Sequence, residues 1–306
     1  MTKLIECIPN FSDGRNQKVI DGLVEIAKNV KGVTLLDHSS DTSHNRSVFT
    51  LVGDEEGIQE VVFQLVKFAS ENIDMTKHQG EHPRMGATDV VPFVPIKDVT
   101  MEECIAISKK VAQRINEELQ IPIFLYEDSA TTPVRKNLAK IRKGQFEKMP
   151  EKLLEEEWQP DYGERKIHPT AGVTAVGARM PLVAFNVNLD TDNIEIANKI
   201  AKIVRGSSGG WKYCKGIGVM LEDRNIAQVS MNMVNFEKTP LYRVFETIRF
   251  EAKRYGVSVI GSEVIGLTPA KIKPDIIPGK LTKPTVLAES IVGCMAVLML
   301  LLKIGI

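Results

Sequence analysis

Apolar and polar positions along this chain follow two alternating periods, and the alternation marks out its elements. Residues 3–9, KLIECIP, predict a strand. In RNQKVIDGLVEIAKNV the residues Val19, Ile20, Leu23, Ile26, Ala27 and Val30 recur at three- and four-residue spacing, which places them on one face of a helix. GVTLLDH and RSVFTLVG predict strands, and Ile58, Val61, Val62, Leu65, Val66 and Ala69 mark the next helix. DVVPFVPI predicts another strand, whose prolines cannot donate to a ladder and so point to an edge or a bend. Thr100 and Glu103 have capping-box spacing and open a helix to about Leu119, with IPIFLY as a further strand.

The pattern breaks between Gly144 and Gly172, where a short charged helix gives way to a loop punctuated by Pro and Gly. A domain boundary is expected here. Beyond it, PLVAFNVNL predicts a strand, NIEIANKIAKIVR a helix, and KGIGVML and IAQVSMNM strands. Thr239 as cap and Pro240 in the first turn open a helix to about Tyr255, and VSVIGS follows as a strand. Both halves run β-α-β-β-α-β. The expected fold is therefore α/β, of the α+β type: two ferredoxin-like subdomains packed with a ligand cleft between them.

Two strands are unusually polar. In LVAFNVNL, Val183, Phe185, Val187 and Leu189 share one face while Asn186 and Asn188 share the other. AQVSMNM likewise groups Gln228, Ser230 and Asn232. Asn is depleted in strands, so this face is either the lining of a ligand cleft or a solvated surface. A flat heterocycle with several donors and acceptors would suit it.

Composition narrows the partners. Lys+Arg and Asp+Glu are equal at 39 each, so the net charge is zero. That argues against nucleic acid or an anionic membrane as the main partner. Cys7, Cys104, Cys214 and Cys294 lie far apart, with no C-x-x-C pair. The start, MTKLIECIPNF, lacks the apolar core of a signal peptide, and a cytoplasmic protein with reduced thiols is expected. The apolar run Ile291–Leu302 is short of the ~20 residues that span a bilayer, and predicts a core or interface helix.

The densest chemistry lies in HQGEHPRMGATDVVPFVP, residues 78–95. His78 to His82 matches H-x-x-E-H, a zinc-peptidase pattern that needs both histidines on one helical face. Gly80 inside the motif and Pro83 after it deny that geometry. Two readings of His82 remain: a general base titrating near neutral pH, with Glu81 orienting the ring, or a solvated loop histidine. His78 reads as a surface residue. Arg84 offers a planar fork for a carboxylate.

The loop HQGEHPRMGATD is similar to that of the glutamate formimidoyltransferases. The resemblance extends to ECIPNFSDGRN, LLDHSSDTSHNRSVFTLVG, GVTAVGARMPLVAFNVNL and GIGVMLEDRNIAQVSMNMVNFEKTPLY, and so covers nearly the whole chain. It implies transfer of a formimidoyl group from N-formimidoyl-L-glutamate to the co-substrate tetrahydrofolate, a step of histidine breakdown; the alternatives are formyl transfer between folate and glutamate by the same site, or a non-catalytic folate-binding protein. The form resembled is the one without a cyclodeaminase domain. Two α/β subdomains with folate between them and a homodimer are implied, and no metal is required. The family's catalytic histidine falls on His82. Its folate loop falls on Gly163, Glu164, Arg165, Lys166, Ile167, His168, Pro169, Thr170, Ala171 and Gly172. That loop sits inside the expected linker, so the boundary moves just beyond it, giving subdomains 1–175 and 176–306. The basic residues of the loop either meet a folate's glutamate tail or form a solvated charge run.

The resemblance also orders the other candidates. Asp37 or Asp41 would hold the donor's amidinium. The family often has an acid two positions after the residue matching Asp37, where this chain has Ser39. Arg84 and Arg46 would bind glutamate carboxylates. Asp41 also reads as a hairpin turn residue, Arg46 as half of a strand-edge ion pair, and Asn10 as a turn residue near the ligand.

Overall fold

A computed structural model of the chain describes residues 3–42, 44–80, 82–221 and 224–265. It divides into two compact units between Arg179 and Met180.

The first unit opens with β1 (Leu4–Cys7) and β2 (Asn10–Phe11), separated by Ile8 and Pro9. Then come α1 (Gln17–Asn29), β3 (Val33–Asp41), β4 (Arg46–Gly53), α2 (Glu55–Asn72) and β5 (Thr88–Lys97). β4 pairs antiparallel with β1, β2 and β3, and β5 pairs antiparallel with β1 and β2. This is the split β-α-β order that the periodicity predicts. Asn16 caps α1 by accepting from Lys18 N, and Asp54 caps α2 by accepting from Gly57 N. The predicted stripes Val19, Ile20, Leu23 and Ala27 on α1 and Ile58 to Ala69 on α2 are buried. They join Phe11, Phe49, Leu51 and Phe93 in one core. Burying each large apolar side chain is worth roughly 1.5–3 kcal/mol.

The unit then extends its sheet. α3 (Met101–Leu119) starts on the predicted capping box, with Glu103 N donating to Thr100 Oγ1 at 3.2 Å and Thr100 N to Glu103 Oε2 at 2.7 Å. β6 (Ile123–Leu125), α4 (Leu138–Arg142), α5 (Met149–Lys152) and β7 (Thr174–Ala178) follow. β7 lies between β5 and β6 and is parallel to both. A second apolar cluster, including Met85, Phe124, Tyr126, Met149 and Trp158, seats the 138–158 segment.

Three expectations are corrected here. β5 is not an edge: it is flanked by β1 and β2 on one side and β7 on the other. Its prolines are tolerated because the ladder is irregular beside them. Pro92 lies opposite the break between β1 and β2, where its carbonyl still accepts from Ile8 N at 3.1 Å, and the pairing of Ile5 with Pro95 adjoins a register shift. IPIFLY forms only three residues of strand. The expected charged helix after Gly144 shrinks to α5 and a 3-10 turn at Glu156–Trp158.

The second unit runs β8 (Val183–Leu189), α6 (Ile194–Val204), β9 (Cys214–Leu221), β10 (Ile226–Met233), α7 (Leu241–Arg254) and β11 (Val259–Ile265). Its antiparallel order is β11-β8-β10-β9, the same split arrangement as in the first unit. Val183, Phe185, Val187 and Leu189 face α6 and α7 in its core. α7 starts one residue later than predicted, with Pro240 itself as the N-cap and no side-chain cap from Thr239. Among the described residues no helix is long and apolar enough to cross a membrane. The apolar run Ile291–Leu302 lies outside the described residues. Cys7, Cys104 and Cys214 are free and buried.

Candidate active site

The loop between α2 and β5 carries His82, and its position is fixed from three sides. Asn45 makes the first connection. It sits at the tip of the β3–β4 hairpin with φ 49°, a left-handed conformation that Asn tolerates. Its side chain accepts from Gly14 N at 3.0 Å and donates to the Gln79 carbonyl at 2.9 Å. Its own carbonyl accepts from His78 Nε2 at 3.0 Å. One residue thus joins the turn after β2, the hairpin and the histidine loop.

Arg84 makes the second. Its Nε donates to His78 Nδ1 at 3.0 Å, which fixes His78 as the Nε2–H tautomer. Its two terminal nitrogens donate to Gln145 Oε1, both Glu147 carboxylate oxygens and the His78 carbonyl. All five guanidinium N–H groups are engaged, and the residue is buried. The expectation that Arg84 offers a free fork to substrate is therefore corrected: its fork is filled by Glu147, and it braces the loop. His78 is corrected too. It is a half-buried structural residue with both ring nitrogens bonded, and burial holds it below the usual histidine value.

The third connection comes from residues 163–172. Ala87 N donates to the Ala171 carbonyl at 2.9 Å, and Val173 N to the Met85 carbonyl at 3.1 Å. This approach needs two glycines. A Cβ on Gly86 would lie 2.2 Å from the Val173 carbonyl oxygen, and one on Gly172, at φ 70°, 2.3 Å from the Met85 carbonyl oxygen. His168 closes the segment on itself. It exchanges backbone hydrogen bonds with Gly172 at 3.0 Å each, and its Nδ1 accepts from Ala171 N at 3.0 Å. Ile167 packs inward, Ala171 is buried, and Thr170 accepts from Met75 N through its carbonyl. Gly163, Glu164, Arg165, Lys166 and Pro169 are exposed. Arg165 reaches Gln159 Oε1 at 2.9 Å.

His82 itself is half-buried, with its ring centroid 6.4 Å from that of His44. Burial, then the charges of Arg46 and Arg142, push its pKa down to about 3. Glu81, its proposed orienting partner, lies outside the described residues. Arg46 is half-buried, and among the described residues its Nε has no hydrogen-bond partner and no ion pair is seen to it. Burial and the repulsion of Arg142 lower it to about 10, against the pull of Asp89 and Asp41. Asp41 lies opposite Arg46 in the ladder. Its Oδ1 accepts from His44 N at 2.7 Å and lies 3.0 Å from His44 Nδ1, so it does form the hairpin turn. Asp37 is exposed and opposite Thr50, higher on the same face of the sheet. Asn10 is buried on β2. It donates to the Ile8 carbonyl at 2.7 Å, and its Oδ1 is left unpartnered.

One contributor was missed at the sequence level. Arg142 pairs with Asp89, whose other oxygen accepts from Met85 N at 3.0 Å and so steadies the same loop. NLAKIRKG reads as an ordinary basic surface stretch, and nothing in it marks Arg142. α4 places it: Asn137 caps the helix, and Lys152 Nζ donates to the carbonyls of Lys140 and Ile141 at 2.6 Å each. Glu6 lies on β1, and burial raises its carboxyl to about 7 against the pull of Arg179. Asn186, Asn188, Gln228 and Asn232 belong to the second unit, on the sheet face turned away from α6 and α7. Asn188 and Gln228 are buried, Asn186 is half-buried and Asn232 is exposed.

Comparison with known proteins agrees across both units. The family model for the formiminotransferase domain, N-terminal subdomain, matches residues 4–179, and that for the formiminotransferase domain matches residues 184–275. A glutamate formimidoyltransferase of Streptococcus pyogenes serotype M1 is 80% identical over 276 residues, which are 90% of this chain and 92% of that protein. One from Thermoplasma acidophilum is 44% identical, over 89% of this chain and 90% of that protein. A formimidoyltransferase-cyclodeaminase of Mus musculus is 46% identical over 89% of this chain, which spans 51% of that longer protein.

Proposed function

The chain belongs to the formiminotransferase family, and from that membership we propose that it transfers the formimidoyl group of N-formimidoyl-L-glutamate to tetrahydrofolate, giving 5-formimidoyltetrahydrofolate and L-glutamate. The observation that carries this reading is the docking of the 163–172 loop on the Met85–Ala87 backbone, beside His82 and Arg46, which has no ion-pair partner among the described residues. In this reading the loop holds the folate, and Arg46 takes a carboxylate of the donor. Asp41 or Asp37 faces the amidinium. On the same reading the enzyme is a cytoplasmic homodimer working in histidine breakdown.

The chemistry asks for proton management. The folate nitrogen attacks the formimidoyl carbon, a C–N bond forms, and a tetrahedral triamine results. His82 removes the proton from the attacking nitrogen and returns it to the glutamate nitrogen as the old C–N bond breaks. A base held near 3 is weak; burial is the larger cause, and the charges of Arg46 and Arg142 come second. The depression owed to Arg46 and Arg142 lessens when a dicarboxylate donor neutralises them. Donor binding thereby strengthens the base at the moment it is needed.

Arg46→Gln tests this coupling. Loss of a charge-assisted bond to a carboxylate is expected to raise KM for the donor roughly 10- to 100-fold. Removing a cation beside His82 also raises the histidine's pKa. The acid limb of kcat/KM therefore moves to higher pH in the variant. A profile identical to that of the parent would remove Arg46 from the site.

The function itself is tested by turnover with formimidoylglutamate and tetrahydrofolate, following donor loss and glutamate release. Turnover that requires both substrates supports the proposal. Turnover only with N-formylglutamate, or tetrahydrofolate binding without turnover, overturns it.

A further inference from the structure

A helix as short as α4 does not hold itself, because fixing the first turn costs more than its few hydrogen bonds return. The last carbonyls of any helix also lack partners within it. Lys152 supplies them here. It ends α5, where the fully buried side chains of Met149 and Leu153 seat it. Its Nζ donates to the carbonyls of Lys140 and Ile141 at 2.6 Å each and to that of Lys143 at 3.2 Å. Those three bonds use every N–H of an ammonium. The same atom lies 3.8 Å from the centre of the Trp158 ring, and the residue is only 9% exposed. An apolar side chain of similar length would fill this space and touch the ring, but it would leave three carbonyls without a donor. The arrangement calls for the cation and not merely for its bulk.

What those carbonyls carry is Arg142. The carbonyls of Ile141 and Lys143 stand on either side of it in the chain, so its backbone is held from both directions. Its guanidinium pairs with Asp89, which is buried, and the other Asp89 oxygen accepts from Met85 N at 3.0 Å. Met85 is three residues past His82 and also accepts, through its carbonyl, from Val173 N at 3.1 Å. An unbroken run of polar contacts therefore leads from the end of α5 to the histidine loop. From this run we infer that Lys152 is a positioning residue of the candidate active site: its ammonium fixes the turn that bears Arg142 and, through the Arg142–Asp89 pair, the Met85 end of the His82 loop. The inference deepens the reading of His82 as the base, and rests on that reading for its effect on turnover.

The test is a double-mutant cycle in the full chain, read by NMR titration of His82 and by kcat/KM. The charged and titratable groups that act on His82 are Arg46, Arg142, His44 and His78. Lys152→Met releases Arg142 from its place, and withdrawing that cation raises the His82 titration, so the acid limb of kcat/KM moves to higher pH. The rate constant kcat/KM itself is expected to fall roughly 10- to 100-fold, the cost of a small misplacement. Arg142→Met shifts His82 in the same direction, and the double variant shifts it no further, because both changes act through one side chain. Additive shifts, or a His82 titration unmoved by Lys152→Met, overturn the inference. A second arm uses the parent protein and is indifferent to folding defects. Burial lowers Lys152 to about 8, against the pull of Glu155 and Glu157 and with the repulsion of Lys143. Raising the pH through that value removes one N–H and turns a lone pair toward a carbonyl. The amide signal of Met85, which reports its bond to Asp89, is expected to move with the same midpoint, and a signal that stays flat there overturns the inference too. Neither NMR arm needs turnover, so failure of the transferase reading and failure of Lys152 to position Arg142 are separate results.

Discussion

His82→Ala is expected to lose about 10²–10⁴-fold in turnover, the range contributed by a positioned general acid–base. Tetrahydrofolate affinity should stay within a few-fold, because backbone bonds from Ala87 N to the Ala171 carbonyl and from Val173 N to the Met85 carbonyl hold the loop at 163–172, not the His82 ring. The loop should also keep its place, since Asn45 and Arg84 fasten its other residues. Added imidazole should restore part of the rate if the missing group only carries a proton. The measurement is single-turnover kinetics beside equilibrium folate binding. A variant that turns over at the parent rate would remove His82 from the chemistry. One that loses both turnover and folate would make its role structural.

Asp161→Ala carries the largest expected loss of stability. Asp161 Oδ2 lies 2.8 Å from Arg135 NH1, and each side chain is only 6% exposed. The same oxygen accepts from Leu125 N at 2.7 Å, and Oδ1 accepts from Thr131. Removing the carboxylate strands the Arg135 guanidinium in the interior. Breaking one side of a buried pair costs about 3–5 kcal/mol. For a unit of this size that is a fall in melting temperature of roughly 6–20 °C. Asp161 N also donates to the Ile123 carbonyl at 2.9 Å, so this residue anchors the entry to the 163–172 loop on β6. Folate affinity should fall with stability in this variant, unlike in His82→Ala. A calorimetric shift below about 1 °C would show that the pair contributes nothing.

The two variants separate what was legible in the sequence from what was not. The His82 loop could be found because its composition is unusual over a short stretch. Gly, Pro, His and Arg together break both helical and strand periods, and that signal is local. Arg135 and Asp161 gave no such signal, since their meeting depends on how the 126–161 segment folds back over β6. Arg84 shows the same limit. Its guanidinium looked available for substrate, but Glu147 lies 63 residues away and fills it. Arg142 was passed over for the converse reason: it stands in a basic run, and only its burial against Asp89 sets it apart.

The sequence alone determined the elements and their order. The helical stripes, the Thr100 capping box and the alternation in β8 and β10 come from contacts within a few residues, and hydrophobic period records such contacts directly. The β-α-β-β-α-β order followed in each half. Only the tertiary structure decided the rest. β7 entered between β5 and β6 and made a proline-bearing strand central. The 163–172 loop came to rest on Gly86, and the cations of β4 and α4 gathered about His82. Each of these depends on segments far apart in the chain meeting at distances of a few ångströms. Charge, burial and hydrogen-bond partners are properties of that meeting, and no local pattern of residues carries them.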